Sequence, residues 1–121
     1  MIDIRAILAK SDLFSGLSDA SLERVAGHLS EVRFSANEVI CREGHAGDTM
    51  YIIIEGLVSV SSDMGWGQRE LAQKGPGEVF GEMALISNDV RSATVRSVTE
   101  TVCLQLDSEN FDTLLDKDPL L

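Results

Sequence analysis

The apolar positions of the first thirty residues recur at helical spacing. Ile4, Ile7 and Leu8 share one face of a short helix, and the stretch Ser11-Asp12-Leu13-Phe14-Ser15-Gly16 breaks it. A second helix follows, with Ser18 as N-cap, Asp19 at its positive end, and Leu22, Val25, Ala26 and Leu29 on one stripe. From Glu31 the period changes. Short runs rich in Val, Ile and Thr predict strands over 32–35, 39–42, 50–54, 57–61, 69–73, 93–98 and 101–106. Tyr51-Ile52-Ile53-Ile54 is apolar on both faces and predicts the most buried strand, whereas Val58 and Val60 alternate with Ser59 and Ser61 as one face in, one face out. Eight of the ten glycines lie between Gly44 and Gly81, which places the tight turns of closely spaced hairpins there. Asp63-Met64-Gly65-Trp66-Gly67 reads as an exposed hairpin tip. Helical spacing returns at the end: Ser108 as N-cap, Glu109 in the first turn, and Phe111, Leu114 and Leu115 as a stripe. Asp118-Pro119 has the form of a fresh helix start, so the chain is expected to be an excerpt from a longer protein.

These elements predict a mainly β fold with flanking helices: a small barrel or jelly roll of seven or eight strands. A length of 121 residues fits a single domain and leaves no room for a two-domain enzyme. We expect helices over 1–30, a β-roll over 31–107 and a C-terminal helix over 108–121.

Charge narrows the partners. Twenty Asp and Glu against ten Lys and Arg give a net charge of −10, which disfavours nucleic-acid polymers and anionic membranes. One small anion is still compatible, because charges beyond a screening length of about 8 Å matter little at physiological salt. The longest apolar run, 50–54, is far short of a membrane span, and the N-terminus lacks the form of a secretory signal, so a cytoplasmic location is expected. Cys41 and Cys103 are expected to be free, strand-buried thiols. Cys41 and His45 lack a second ligand pair for a metal, no Gly-x-Ser-x-Gly elbow is present, and the acidic residues Asp107, Glu109, Asp112, Asp116 and Asp118 read as a solvated helix face. No enzyme activity and no cofactor are expected.

The unusual chemistry is concentrated between Gly75 and Thr94. Gly81 stands at the entrance of a short potential helix, 82–86, where unsatisfied N–H groups favour an anion. Glu82 at the same end would repel a phosphate, so it suits sugar hydroxyls, and Arg91 can fold back to supply the cation. A carboxylate for a diol and a guanidinium for a phosphate together specify a nucleotide. On spacing alone, a Glu82–Arg91 ion pair closing an ordinary loop is the simpler reading.

Phe80-Gly81-Glu82-Met83-Ala84-Leu85, followed after five residues by Arg91-Ser92-Ala93-Thr94, resembles the phosphate-binding cassette of cyclic nucleotide-binding domains. That module occurs in protein kinase A regulatory subunits, bacterial catabolite activators and cyclic-nucleotide-gated channels. The stretch 40–56, with Gly44, Gly47 and Gly56, is similar to the glycine-punctuated strand pair before the cassette, and the likeness runs from about Leu13 to Leu121. The resemblance implies an eight-stranded β-roll (a jelly-roll-like double-stranded β-helix) with an N-terminal helical segment, a short cassette helix and a C-terminal helix. It implies cAMP or cGMP as ligand, with Glu82 on the ribose 2′-hydroxyl and Arg91 on the cyclic phosphate. Backbone amides near Gly81, Ala84 and Ala93 would complete the cradle, Ser92 would add a hydroxyl, and Phe80 and Met83 of the same cassette would count among the ligand-binding residues. An attached or associated effector would receive the signal through movement of the C-terminal helices. A homo-oligomer is left open, as is a ligand-free interaction module of the same fold. Two positions depart from the family pattern: Val90 replaces the usual proline before the arginine, and His45 stands where a small polar or acidic residue is common. Ser92 does not choose between the two bases, and the family's lid helix would lie past Leu121.

Overall fold

A computed structural model describes residues 4–10, 14–44, 47–81, 91 and 93–117. Helix α1, Ile4–Lys10, and helix α2, Asp19–Gly27, form where the apolar stripe predicts them. Ser18 caps α2: its backbone is extended and its Oγ accepts the Ser21 N–H at 3.2 Å, with Asp19 in the first turn. Arg5 Nη1 donates to Glu23 Oε1 at 3.3 Å and ties the two helices on their exposed side.

Eight strands follow: β1 Ser30–Phe34, β2 Val39–Cys41, β3 Thr49–Glu55, β4 Val58–Asp63, β5 Gln68–Lys74, β6 Val79–Phe80, β7 Thr94–Ser97 and β8 Thr101–Asp107. They make two four-stranded antiparallel sheets, ordered β1-β8-β3-β6 and β2-β7-β4-β5. The two sheets and their flanking helices form the expected β-roll. Strand β6 is the one element not located as a strand in advance. Two residues are too short to display a period, and it exists because Tyr51 pairs with Phe80 and Ile52 with Val79.

The doubly apolar run in β3 has a direct cause: its sheet is covered on both sides. Met50 and Ile52 join Ile7, Leu8, Phe14, Leu22, Val25, Leu106 and Phe111 in the layer between helices and sheet. Ile53 faces the other way, into the roll, with Cys41, Val58, Phe80, Val95 and Cys103. Burying each large apolar side chain in these layers contributes roughly 1.5–3 kcal/mol. Both cysteines are free and buried. Strand β5 is an exposed edge, and a register shift opposite Val60 and Ser61 leaves Leu71 as an extra residue on it. Trp66 at the hairpin tip is 79% exposed.

The turn from β1 to β2 is organised by a buried serine on β7. Ser97 Oγ accepts the Glu38 N–H at 2.8 Å and donates to Ser35 O at 2.5 Å, while Asn37, with φ 64°, donates its N–H to Ser97 O at 2.8 Å.

Helix α3, Ser108–Lys117, begins directly after β8. Its cap is Asp107, not Ser108 as expected. Asp107 Oδ1 accepts the Asn110 N–H at 2.8 Å, the capping geometry one residue earlier, and this takes Asp107 out of the solvated acidic face. Phe111 is buried and meets Phe14 edge-on, with ring centroids 6.2 Å apart. Among the described residues no helix is long and apolar enough to cross a membrane. The expected 82–86 helix and the Asp118-Pro119 start lie outside the described residues.

Candidate functional site

Three chain segments converge at one end of the roll: the start of β3, the end of β6 and the approach to β7. The Tyr51–Phe80 pairing sets Gly81 beside Thr49 and Met50. The approach to β7 is anchored from the other side, where Gly44 N–H donates to Arg91 O at 2.9 Å and Glu43 N–H to Thr94 Oγ1 at 3.1 Å. Arg91 is therefore fixed at its backbone before its side chain makes any contact.

The side chain is half-buried and reaches across to the opposite sheet. Its Nη2 donates to Thr49 O at 2.9 Å and its Nη1 to Gly81 O at 3.4 Å. Both partners are neutral carbonyls, and no described carboxylate lies within ion-pair distance of the guanidinium. Gly81 is required at its position. Its φ is 81°, and a Cβ there would stand 2.8 Å from both Arg91 Nη1 and Thr49 O. The close approach of β3, Gly81 and Arg91 depends on the missing side chain.

An aromatic wall lies alongside. Tyr51 stacks on Phe80 with centroids 5.0 Å apart and 21° between planes, and Phe34 meets Tyr51 edge-on at 6.0 Å. Burial pushes the Cys41 thiol up, and the Arg91 cation partly opposes it. The Tyr51 hydroxyl is also pushed up, first by burial and then by the Cys41 thiol, again with Arg91 opposing. The field of one guanidinium thus reaches both groups. Cys103, deeper in the roll, is pushed up to about 12 by burial and by Cys41. These thiols are protonated at neutral pH and act as packing.

Chemically, the arrangement suits an anion. A guanidinium carries its charge at any physiological pH, and its fork matches two oxygens of a phosphate. Here two of its N–H donors are fixed on neutral carbonyls, and no described carboxylate compensates the charge. The rest of the fork has no described partner.

Of the residues singled out from the sequence, Gly81 and Arg91 come together in this corner. Phe80, 4% exposed, contributes its ring to the aromatic wall, and Ala93 is half-buried just before β7. Glu82, Met83, Ala84 and Ser92 lie outside the described residues, as do His45 and Val90. Sequence reasoning missed Thr49, whose contribution is a backbone carbonyl and carries no side-chain signal. It also missed Tyr51 as a neighbour of Arg91, although the alternation of β3 places residue 51 on the same face as Ile53.

The chain is similar to known proteins over most of its length. The family model described as "Cyclic nucleotide-binding domain" matches residues 31–118. A cyclic nucleotide-gated potassium channel of Mesorhizobium japonicum is 39% identical over 113 residues, 93% of this chain and 30% of the channel. The cAMP-dependent protein kinase regulatory subunit of Dictyostelium discoideum is 40% identical over 98 residues, 76% of this chain and 30% of that subunit. The chain thus spans under a third of the length of these two relatives. Among solved structures, the regulatory domain of Toxoplasma gondii PKA with cAMP superposes with a TM-score of 0.84 at 32% identity, covering 92% of this chain and 42% of that one. A cyclic nucleotide-binding-like protein from Brucella abortus gives 0.85 at 27% identity, covering 95% and 99%.

Proposed function

The chain belongs to the cyclic nucleotide-binding domain family, and from that membership we propose that it binds cAMP or cGMP at the Arg91 corner and signals to an attached effector. Domains of this family are non-catalytic regulatory modules that bind cyclic nucleotides. In the proposed arrangement the whole chain acts as one domain. The cyclic phosphate docks on Arg91 and on backbone amides near Gly81, Ala84 and Ala93, with the Ser92 hydroxyl beside them. Glu82 accepts hydrogen bonds from the ribose hydroxyls, and Phe80 and Met83 complete the set of ligand-binding residues.

The observation that carries this reading is the environment of Arg91. Among the described residues this half-buried cation meets two neutral carbonyls and no carboxylate, a setting that suits an arriving anion. A cyclic phosphate carries one negative charge and presents two free oxygens, which suits the fork. Ligand binding can shift the C-terminal helix only by as much as the ligand's affinity differs between two arrangements. Helix α3 is placed to respond, since it continues directly from β8, and β8 pairs with β3, whose Thr49 carbonyl holds Arg91.

Thermal unfolding with cAMP, cGMP and linear 5′-AMP tests the reading. Saturation at 100 times Kd adds about 2.7 kcal/mol to stability. A raised midpoint with a cyclic nucleotide at concentrations where 5′-AMP has little effect supports it. No shift with either cyclic nucleotide at millimolar concentration leaves the chain as a ligand-free module of the same fold.

A further inference from the structure

Arg91 is flanked by two glycines, and they differ in a way that assigns them different tasks. At Gly81 the backbone itself demands glycine, because φ is 81° and an added Cβ would press on the Thr49 carbonyl as well as on Arg91. At Gly47, just before β3, the backbone makes no such demand, since its φ lies outside the left-handed region. The three heavy atoms nearest to an added Cβ there are all in the Arg91 guanidinium, Nε, Cζ and Nη2, and each is closer than a real Cβ contact allows. The nearest obstacle is thus a side chain, whereas at Gly81 a backbone carbonyl stands as close as Arg91 does.

The consequence follows from which side yields. A clash with rigid backbone is relieved by distorting the fold. A clash with the far end of an arginine is relieved by rotating that side chain into another rotamer. An alanine at position 47 is therefore cheap for the roll and expensive for the guanidinium. Nη2 is also the atom that donates to Thr49 O at 2.9 Å, so a displaced Arg91 loses the contact that aims it. We propose that Gly47 is a positioning residue for the ligand site: its missing side chain is the space in which the Arg91 guanidinium lies, and its role is to aim that cation rather than to permit a turn.

This rests on the reading of Arg91 as the phosphate-binding group, so the test separates the two. Titration calorimetry with cAMP and cGMP is run on the parent chain, Gly47→Ala, Arg91→Ala, the double variant, and Gly27→Ala as a control, since Gly27 has open space around it and an ordinary φ. Gly47→Ala should weaken binding by about tenfold to a hundredfold, the scale of one charge-assisted hydrogen bond. Its ligand-free midpoint should hold or rise by up to about 4 °C, because alanine restricts the unfolded chain. In the double variant the Gly47 substitution should add no loss beyond Arg91→Ala. A second readout needs no ligand: the Arg91 Nε–H resonance should shift in Gly47→Ala and stay in place in Gly27→Ala. Parent-like affinity with an unmoved resonance in Gly47→Ala overturns the proposal, and so does a loss that is additive with Arg91→Ala. Unchanged affinity in Arg91→Ala overturns the phosphate reading instead, and the resonance then decides by itself whether Gly47 positions the side chain.

Discussion

Replacing Arg91 by alanine should separate ligand binding from folding. The guanidinium makes two hydrogen bonds to backbone carbonyls, at 2.9 and 3.4 Å, and the second is long enough to be weak. Losing them costs stability, but removing a half-buried charge whose described hydrogen-bond partners are both neutral returns part of that cost. We expect the ligand-free stability to change by no more than about 1 kcal/mol, which is about 4 °C in midpoint for 121 residues. Binding should respond far more. A guanidinium on a desolvated phosphate supplies about 2 to 4 kcal/mol, so Kd should rise by about 30- to 900-fold. At a ligand concentration of 100 times the parent Kd, the parent gains about 2.7 kcal/mol, or about 11 °C, whereas the variant gains between about 0.9 and 0.1 kcal/mol, under about 4 °C. Differential scanning fluorimetry with and without cyclic nucleotide reads all four midpoints in one experiment. A ligand-induced shift of parent size in Arg91→Ala would refute the reasoning, because the phosphate would then be held without the cation.

Other substitutions test the scaffold that presents this corner. Ser97→Ala removes a buried hydroxyl that serves the β1–β2 turn on both sides, and leaving the Glu38 N–H without that acceptor should cost about 1–3 kcal/mol in urea unfolding; an unchanged midpoint would mean the turn holds without it. Gly56→Ala combines a φ of 100° with a Cβ that would run into the Glu100 and Thr101 backbone, so a loss of about 2–4 kcal/mol is expected, and a loss below 1 kcal/mol, measured the same way, would contradict the geometry. Cys103 titrates at about 12 in the folded chain against an ordinary 9.0, so folding favours its neutral thiol. The stability this group contributes is complete below pH 9 and is lost as pH rises from about 9 toward 12. Cys103→Ala should therefore show a shallower decline in midpoint between pH 8.5 and about 11 than the parent, and parallel slopes would contradict the assignment.

Much of the scaffold was legible in the sequence because its elements carry their own period. The stripe Leu22, Val25 and the Ser18 cap specify α2, and the doubly apolar stretch of β3 announces a sheet covered on both faces. Where sequence reasoning erred or stopped, tertiary contacts decide. Strand β6 exists only by pairing with β3. Asp107 and Ser108 are both good caps, and the choice between them depends on where β8 releases the chain. At the site, spacing alone suggests a Glu82–Arg91 ion pair, and it is the resemblance to the phosphate-binding cassette that puts Gly81 and Arg91 in one corner. The carbonyl of Thr49 and the space over Gly47 follow from neither, since one is backbone and the other is an absence of atoms.

The central claim is that a cyclic phosphate occupies the donors of Arg91 that have no described partner. A crystal structure of the chain grown with saturating cAMP tests it most directly. The account predicts phosphate oxygens at about 2.7–2.9 Å from the Arg91 guanidinium, the distance of a charge-assisted hydrogen bond, with Gly81 alongside. A nucleotide bound with its phosphate away from Arg91, and the guanidinium still resting only on Thr49 and Gly81, would contradict it.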